Sequence, residues 1–358
     1  MRTLTIGILA GLAALALIAA GCAADDRDGD GSGADGDTDT DTDTDTDADG
    51  DGDADGDADT DPSFGGCTKI DLLFVVDDSG SMQEEQTNLG NNFPEFIGVL
   101  EEYLTPANTQ VEYRVGVTTT GVTRSFTQNI PMFPNPVPMS SSGPDGELQG
   151  IDTCDLGEYP WLDGPGGAAN ASTFSCMANQ GTTGSGTEMP FAAMHQALLE
   201  DPDNAADVPA QSAAGNPNEG FYRKDEASLL VVVFITDEDD CSIVEGGTMN
   251  VSFQGGSDCD EETSTGLYQP ETMIEFLDEL TGGGEGRYVL VGIAGDPETN
   301  GCDASNLGSA AGAKRLKELI DMVGGWGVFG DICSGDLSDS LQQALDVIEL
   351  ACDEFPLE

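Results

Sequence analysis

Residues 70–82 read Ile-Asp-Leu-Leu-Phe-Val-Val-Asp-Asp-Ser-Gly-Ser-Met, an apolar run that ends in an acidic, hydroxyl-rich turn. A second run of the same kind, Leu-Leu-Val-Val-Val-Phe-Ile at 229–235, is followed by Thr-Asp-Glu-Asp-Asp. Short runs that are apolar at nearly every position predict strands buried on both faces, as in a parallel sheet covered by helices. These two stretches therefore predict an α/β fold with polar side chains at the point where each strand ends.

Similar strand patterns alternate with helical patterns along the rest of the chain. Further strands are predicted at 111–117, 288–294 and 328–332, and helices at 83–104 (kinked or restarted at Pro94), 188–199, 271–280, 311–323 and 337–351. This alternation predicts a Rossmann-like, mainly parallel sheet flanked by helices on both faces. Two stretches, at about 120–183 and 238–268, do not fit the alternation. We expect both to be loop insertions stapled by disulfides.

The first 22 residues predict export. Arg2 precedes an apolar run over residues 4–20 that is too short for a stable membrane span. The run leads through Ala-Ala-Gly into Cys22, which resembles the signal of bacterial lipoproteins, in which this cysteine is lipidated. That resemblance implies an exported protein anchored to the outer membrane or cell surface, touching the membrane only through its lipid. Ordinary cleavage, with Cys22 playing no part, is the alternative.

The other eight of the nine cysteines suggest four disulfides, as expected in an exported chain. We expect three pairs between sequential neighbours and one that joins the two ends of a single domain. The expected pairs are Cys154–Cys176, Cys241–Cys259, Cys302–Cys333 and Cys67–Cys352.

Charge is the most extreme feature of the composition. The chain carries 68 acidic and 11 basic residues, a net charge of −57. Nucleic acid is therefore excluded as an expected partner, because binding phosphates requires clustered Lys and Arg.

Residues 23–62 form an Asp/Gly/Thr-rich segment without Leu, Ile, Val or aromatic residues, so they cannot bury a core. We expect a disordered, extended spacer between the lipid and a domain at 63–358. Calcium binding is the alternative, since Asp47, Asp49 and Asp51 begin like an EF-hand loop. Ala58 stands where that loop needs Glu.

The residues that end the predicted strands favour a divalent cation. In open α/β sheets, functional residues gather at the carboxyl edge of the strands. Gly80 should let the first turn bend so that its oxygens converge, and a hydroxyl near the start of the helix at 188 would add a further oxygen. An oxygen-only set suits Mg²⁺, with Mn²⁺ or Ca²⁺ as alternatives. The predicted ligands are Asp77, Ser79, Ser81, Thr187 and Asp237.

The same residues resemble a known family. Residues 74–82 look like the D-x-S-x-S loop of von Willebrand factor type A domains, and residues 234–237 look like that family's strand ending in Thr-Asp. Gly186-Thr187 is similar to the family's metal-binding threonine. Ser185 stands where a second glycine is usual, so Thr182 and Thr183 remain alternatives. The resemblance spans residues 68–352 and implies one metal site that binds ligand without catalysis.

The expected function is therefore adhesion, in which a carboxylate from a partner completes the coordination shell of the cation. Two other classes stay open. One is a structural envelope protein whose metal only stabilises the domain, and the other is a metal hydrolase that uses the same acidic loops. Against hydrolysis stand a single histidine, His195, and the lack of a G-x-S-x-G motif. The sequence carries no signal for an oligomeric state.

Simpler roles also remain open for several of these residues. Asp77, Ser79 and Ser81 could cap the helix that follows them, and Asp237 could begin a turn. His195, Trp161 and Trp326 are expected to pack in or near the core, although Trp161 could anchor a ligand. A second calcium site is the alternative to a solvated loop for one further acidic group. Its members are Glu238, Asp239, Asp240, Asp258, Asp260, Glu261 and Glu262.

Overall fold

The computed structural model describes most of the chain from Cys67 to Phe355. The described residues are 67–87, 96, 111–130, 133–199, 216–224, 228–250, 259, 264–283, 286–299, 301–304, 308–334 and 337–355. The expected signal peptide (1–22), the lipidated Cys22, the spacer (23–62) and most of the helix expected over 83–104 lie outside them. Those expectations remain predictions.

Strands and helices alternate through the described residues. The strands are β1 (Lys69–Val76), β2 (Glu112–Thr119), β3 (Arg124–Asn129), β4 (Val137–Ser141), β5 (Leu162–Gly164), β6 (Ser228–Ile235), β7 (Ile243–Asn250), β8 (Thr265–Leu267), β9 (Tyr288–Ala294), β10 (Cys302–Ala304), β11 (Gly308–Ala310) and β12 (Gly327–Asp331). The α-helices are α1 (Ala168–Ala178), α2 (Pro190–Leu198), α3 (Pro270–Thr281), α4 (Lys314–Met322) and α5 (Ser338–Asp353), and residues 83–87 are also helical. Short 3₁₀ helices cover Gly324–Trp326 and Ile332–Ser334.

The main sheet has six strands in the order β12-β9-β6-β1-β2-β5. Each neighbouring pair from β12 to β2 is parallel, and β5 pairs antiparallel with β2 at the edge, so the sheet is mixed. β1 lies between β6 and β2, with Val76 in register with Ile235 on one side and Thr119 on the other. The ends of these three strands therefore lie side by side.

Helices cover both faces of the main sheet. Leu72, Phe74 and Val76 belong to one buried cluster, which includes residues of α1 and α5. Leu73 and Val75 point to the other face and join a cluster with residues of α2, α3 and α4. Burying each such side chain contributes about 1.5–3 kcal/mol, which explains why the fully apolar runs form the central strands. The expected α/β class is confirmed.

The two insertions are not simple loops, which corrects the expectation for 120–183 and 238–268. β3 and β4 of the first insertion combine with β7 and β8 of the second in a four-stranded mixed sheet of order β4-β3-β7-β8. β3 and β7 are parallel, and Thr127 Oγ1 lies 2.9 Å from Thr248 Oγ1 across the pair. The first insertion also supplies α1 and the edge strand β5. The insertions leave from the ends of β2 and β6, so this second sheet begins beside the carboxyl end of β1.

Four disulfides are present, and they join the expected pairs. Cys154–Cys176 and Cys241–Cys259 lie within the insertions, and Cys302–Cys333 links the β10 strand to the 3₁₀ helix after β12. Cys67–Cys352 joins the residue before β1 to α5 across 285 residues of sequence. No helix in the described part of the chain is long and apolar enough to cross a bilayer.

Candidate metal centre at the carboxyl edge of the main sheet

The first two predicted ligand loops lie next to each other because β1 and β6 are adjacent. The Asp77 N–H donates to Ile235 O at 2.9 Å, which carries the pairing of the two strands one residue past the end of β1. Thr236 N–H donates in turn to Ile293 O, at the end of β9. Asp77 directly follows β1, Asp237 comes two residues after β6, and both are buried.

Side-chain hydrogen bonds connect four of the five predicted ligands. Asp77 Oδ1 accepts the Ser79 N–H at 2.8 Å, and Ser79 Oγ lies 2.9 Å from Ser81 Oγ. Ser81 Oγ then donates to Asp237 Oδ1 at 3.3 Å. Thr236, which the sequence analysis did not single out, donates from Oγ1 to Asp77 Oδ2 at 2.7 Å. The oxygens of these side chains therefore face one another.

Gly80 does not have the role expected of it. Its φ is not positive, and a Cβ added there would have no heavy atom within 4 Å. The turn between Ser79 and Ser81 is therefore open to an alanine. The Asx-type bond from Ser79 N–H to Asp77, rather than glycine flexibility, fixes this turn.

The third predicted loop reaches the same edge through its backbone. Gly184 N–H donates to Asp78 O at 2.7 Å, and Met189 N–H donates to Thr120 O at 3.1 Å. Thr187 itself is half-buried, and its N–H donates to Ser185 Oγ. Within the described residues, no hydrogen bond joins the Thr187 hydroxyl to the other four predicted ligands.

The helix after this loop also begins later than expected. α2 starts at Pro190 instead of residue 188, because proline suits the first helical position, where its missing N–H costs nothing. Thr187 therefore precedes the helix and does not open it. The alternatives Thr182 and Thr183 lie earlier in the same loop, half-buried and exposed respectively.

Glu188 is a buried acid that the sequence analysis missed. Its side chain is fully buried, Thr120 Oγ1 donates to its Oε2, and it lies against Asp77. Burial and then the Asp77 charge raise the pKa of Glu188 to about 10. The same two causes raise the pKa of Asp237 to about 8. The one available signal was the position of Glu188 directly after the predicted metal threonine.

We call the following five acids the acidic cluster: Asp77, Asp78, Glu85, Glu188 and Asp237. Burial followed by the Asp77 charge raises the pKa of Asp78 to about 6, and burial also raises the pKa of Glu85. Among the described residues, three buried oxygens of the cluster have no hydrogen-bond donor: Asp78 Oδ1, Glu85 Oε2 and Glu188 Oε1. The oxygens thus outnumber the donors around Asp77, and such an excess is relieved by bound protons or by a cation.

Two carboxylates and neighbouring hydroxyls suit a hard divalent cation such as Mg²⁺, Mn²⁺ or Ca²⁺. In the described part of the chain, no group of three or more His, Cys, Asp or Glu side chains is arranged to hold a metal ion. The candidate site therefore depends on combining Asp77 and Asp237 with the hydroxyls of Ser79 and Ser81. Ser81 is exposed, so the edge is open to solvent at that point.

His195, Trp161 and Trp326, which the sequence analysis also considered, pack against other side chains. His195 packs edge-on against the rings of Tyr268 and Phe276, at centroid distances of 5.9 and 4.5 Å. Trp161 is buried beneath Tyr159, and Trp326 is half-buried against the cluster containing α5. 

Two members of the acidic group considered as an alternative second calcium site bind other parts of the chain. Asp239 and Asp240 accept backbone N–H groups and face Arg315. Glu238 is half-buried, and the other four acids of the group, at 258 and 260–262, lie outside the described residues.

The chain matches no protein-family model and no curated protein sequence. Among solved structures, it is similar to proximal thread matrix protein 1 from the mussel byssus, with 14% identity, 79% of this chain and 46% of that chain covered, and a TM-score of 0.32. It is also similar to the pilus adhesin SpaC from Lactobacillus rhamnosus GG (12% identity, 78% and 30% covered, TM-score 0.35). The human COPII-coat protein Sec24c gives 12% identity, 80% and 33% covered, and a TM-score of 0.38. The chain thus spans less than half the length of each, and at these TM-scores the likeness bears on neither fold nor function.

Proposed function

We propose that residues 63–358 form a von Willebrand factor type A domain that binds a partner's carboxylate through one divalent cation. The order of the parallel strands, with helices on both faces, supports the Rossmann-like layout. The loop sequences at residues 74–82 and 234–237 support the family. The domain would be displayed at the cell surface or outer membrane through the lipid on Cys22.

One observation carries the proposal: Asp77, Ser79, Ser81 and Asp237 meet in one chain of hydrogen bonds, beside buried oxygens that have no donor in the described part of the chain. A cation placed among these four residues would add positive charge where buried carboxylate oxygens outnumber the donors. Mg²⁺ is the proposed ion, with Mn²⁺ and Ca²⁺ as alternatives, and Thr187 is the proposed fifth ligand. Because Ser81 is exposed, a partner's carboxylate could reach the ion from solvent.

The first experiment measures Mn²⁺ binding to the full chain by titration calorimetry. Asp77→Ala should abolish binding, because it removes the carboxylate around which the other ligands are arranged. Asp321→Ala is the matched control, since it removes an exposed aspartate from α4 whose partner is Lys317. Unchanged Mn²⁺ binding in Asp77→Ala would contradict the proposal.

A second measurement separates adhesion from a purely structural role for the metal. Water that exchanges at protein-bound Mn²⁺ speeds up the magnetic relaxation of bulk water protons. Adding glutarate should reduce this effect, because a carboxylate that enters the shell displaces the water. If Mn²⁺ binds and raises the melting temperature while glutarate changes nothing, the structural alternative is favoured instead.

A further inference from the structure

The loop after Asp237 caps the start of helix α4. Asp239 accepts the backbone N–H groups of Lys314, Arg315 and Leu316 at 3.0–3.2 Å, in the first turn of α4. A carboxylate at this position satisfies N–H groups that have no partner within the helix and interacts favourably with the helix dipole. The start of α4 is thereby fixed to a residue two positions from a proposed metal ligand.

Asp240 caps a different helix, the one that follows Thr187. Its Oδ1 accepts the Phe191 N–H at 3.0 Å, and Ser242 Oγ accepts the Ala192 N–H at 2.9 Å, both at the start of α2. Arg315 then joins the two caps, since its Nη2 lies 3.2 Å from Asp240 Oδ2 and its Nε donates to Asp240 O. We call Asp239, Asp240, Ser242 and Arg315 the capping bridge.

The backbone connects the capping bridge directly to two proposed ligand loops. Ala311 N–H, just before α4, donates to Asp237 O at 2.8 Å. Cys241, which lies between Asp240 and Ser242 in the sequence, donates its N–H to Glu188 O at 2.7 Å, one residue after Thr187. The bridge therefore sets the separation of the Asp237 loop and the Thr187 loop, which come from distant parts of the sequence.

Stability alone is a weak reason for such a bridge. A buried ion pair loses its hydration, and well-packed apolar side chains often replace it at no cost in stability. Side chains that orient metal ligands, by contrast, typically change metal affinity 10- to 100-fold when mutated. Arg315 and Asp240 are almost fully buried, and every bond described above holds a ligand loop or the helix attached to it.

We propose that the capping bridge is a positioning unit, which holds Asp237 and Thr187 at the spacing that the cation requires. This inference rests on the proposed function. It predicts that the coupling acts in both directions, because linkage between two events is reciprocal. Mn²⁺ binding should therefore slow hydrogen exchange at the N–H groups of residues 314–316, which lie outside the ligand loops.

The test compares two arginine-to-lysine variants of the full chain. Arg315→Lys loses the forked contact with Asp240, because lysine carries a single ammonium group. Arg223→Lys is the matched control: Arg223 pairs with buried Asp71 at 2.7 Å, six residues before Asp77 and about 20 Å along β1. We expect Arg315→Lys to weaken Mn²⁺ binding by about 10- to 100-fold and Arg223→Lys to change it less than about twofold. Both should lower the melting temperature.

Ser242→Ala gives a milder variant in case Arg315→Lys does not fold. It removes the hydroxyl between Asp240 and α2, and about tenfold weaker Mn²⁺ binding is expected. If wild type binds Mn²⁺ and both bridge variants bind it equally well, the positioning role is wrong while the proposed function stands. If wild type binds no Mn²⁺, the proposed function fails, and this inference fails with it.

Discussion

Without a divalent cation, the protein should become less stable as the pH rises from 5 to 8. Asp237 and Glu188 have pKa values of about 8 and about 10 in the folded protein, far above their ordinary values of 3.8 and 4.5. Between pH 5 and pH 8 the folded state therefore retains protons that the unfolded chain has lost. Since the folded state binds more protons, the free energy of unfolding falls with rising pH.

The magnitude follows from the number of retained protons. Each one lowers the free energy of unfolding by about 1.4 kcal/mol per pH unit, so two lower it by at most about 3 kcal/mol per unit. A change of two pH units would then remove a large part of the roughly 5–15 kcal/mol typical of a folded domain. A cation bound at Asp77 and Asp237 replaces the proton on Asp237, so Mg²⁺ should flatten this dependence.

Urea unfolding at pH 5, 6, 7 and 8 measures the effect, in EDTA and in excess MgCl₂ at matched ionic strength. Asp237→Asn should lose about half of the slope in EDTA, because the amide does not titrate. Asp321→Asn, an exposed position on α4, should keep it. A flat or rising stability in EDTA, or a slope that Mg²⁺ leaves unchanged, would refute the reasoning about the acidic cluster.

Two further predictions concern single features of the fold. Replacing Cys67 and Cys352 by serine opens a loop of 285 residues and should cost about 5 kcal/mol, against about 3 kcal/mol for Cys241 and Cys259, which are 18 residues apart. Urea unfolding of the two double variants gives the comparison, and equal losses would contradict the loop-entropy argument. Glu188→Gln should change the unfolding free energy at pH 6 by less than about 1 kcal/mol and reduce its pH slope by about 1.4 kcal/mol per unit, as read from the same titration. An unchanged slope would mean that Glu188 does not hold a proton in the folded state.

The central strands could be predicted from the sequence because a strand that is buried on both faces is apolar at nearly every position. Every residue of β6 is buried, as its run of Leu, Val, Phe and Ile predicts. The predicted strand at 288–294 matches β9 at both ends. The disulfide pairs match the expected ones, but order along the chain did not single them out among the 105 possible pairings.

The second sheet could not be predicted in this way. β3 reads Arg-Ser-Phe-Thr-Gln-Asn, with one large apolar side chain, and its neighbour β7 lies more than a hundred residues away. Such strands form because the main sheet brings their starting points together, and that information is absent from local periodicity. α1 was missed for a similar reason, since Ala-Ala-Asn-Ala-Ser-Thr-Phe-Ser-Cys-Met-Ala has little amphipathic character.

The sequence predicted which residues could bind the cation. It did not predict the buried acid beside them or the raised pKa values. Asp77, Ser79, Ser81 and Asp237 follow from the strand ends and the loop motif. Glu188 is buried beside Asp77 and accepts a hydrogen bond from Thr120, the residue after β2, and Arg315 at the start of α4 links the loops that carry Asp237 and Thr187. Both partners come from other parts of the chain, so only the tertiary structure relates them to the motif.

Two glycines at this edge give the sharpest test of which contacts set the geometry. A Cβ at Gly80 would touch nothing within 4 Å, so Gly80→Ala should bind Mn²⁺ within about twofold of wild type. A Cβ at Gly184 would lie 2.1 Å from Asp78 Oδ1, closer than real Cβ atoms approach. Gly184→Ala therefore requires the Asp78 carboxylate or the loop that carries Thr187 to move, and up to about tenfold weaker Mn²⁺ binding is expected if the loop moves.

The double variant Gly184→Ala with Asp78→Ala separates this clash from a general loss of folding. Shortening Asp78 removes the atoms that the new Cβ meets, while the bond from Gly184 N–H to Asp78 O involves only the backbone and survives. If the spacing of the two loops sets the affinity, the second substitution should restore most of the Mn²⁺ binding that the first one lost. If the two losses add instead, Asp78 contributes to the site through its charge, and the steric argument for Gly184 is wrong.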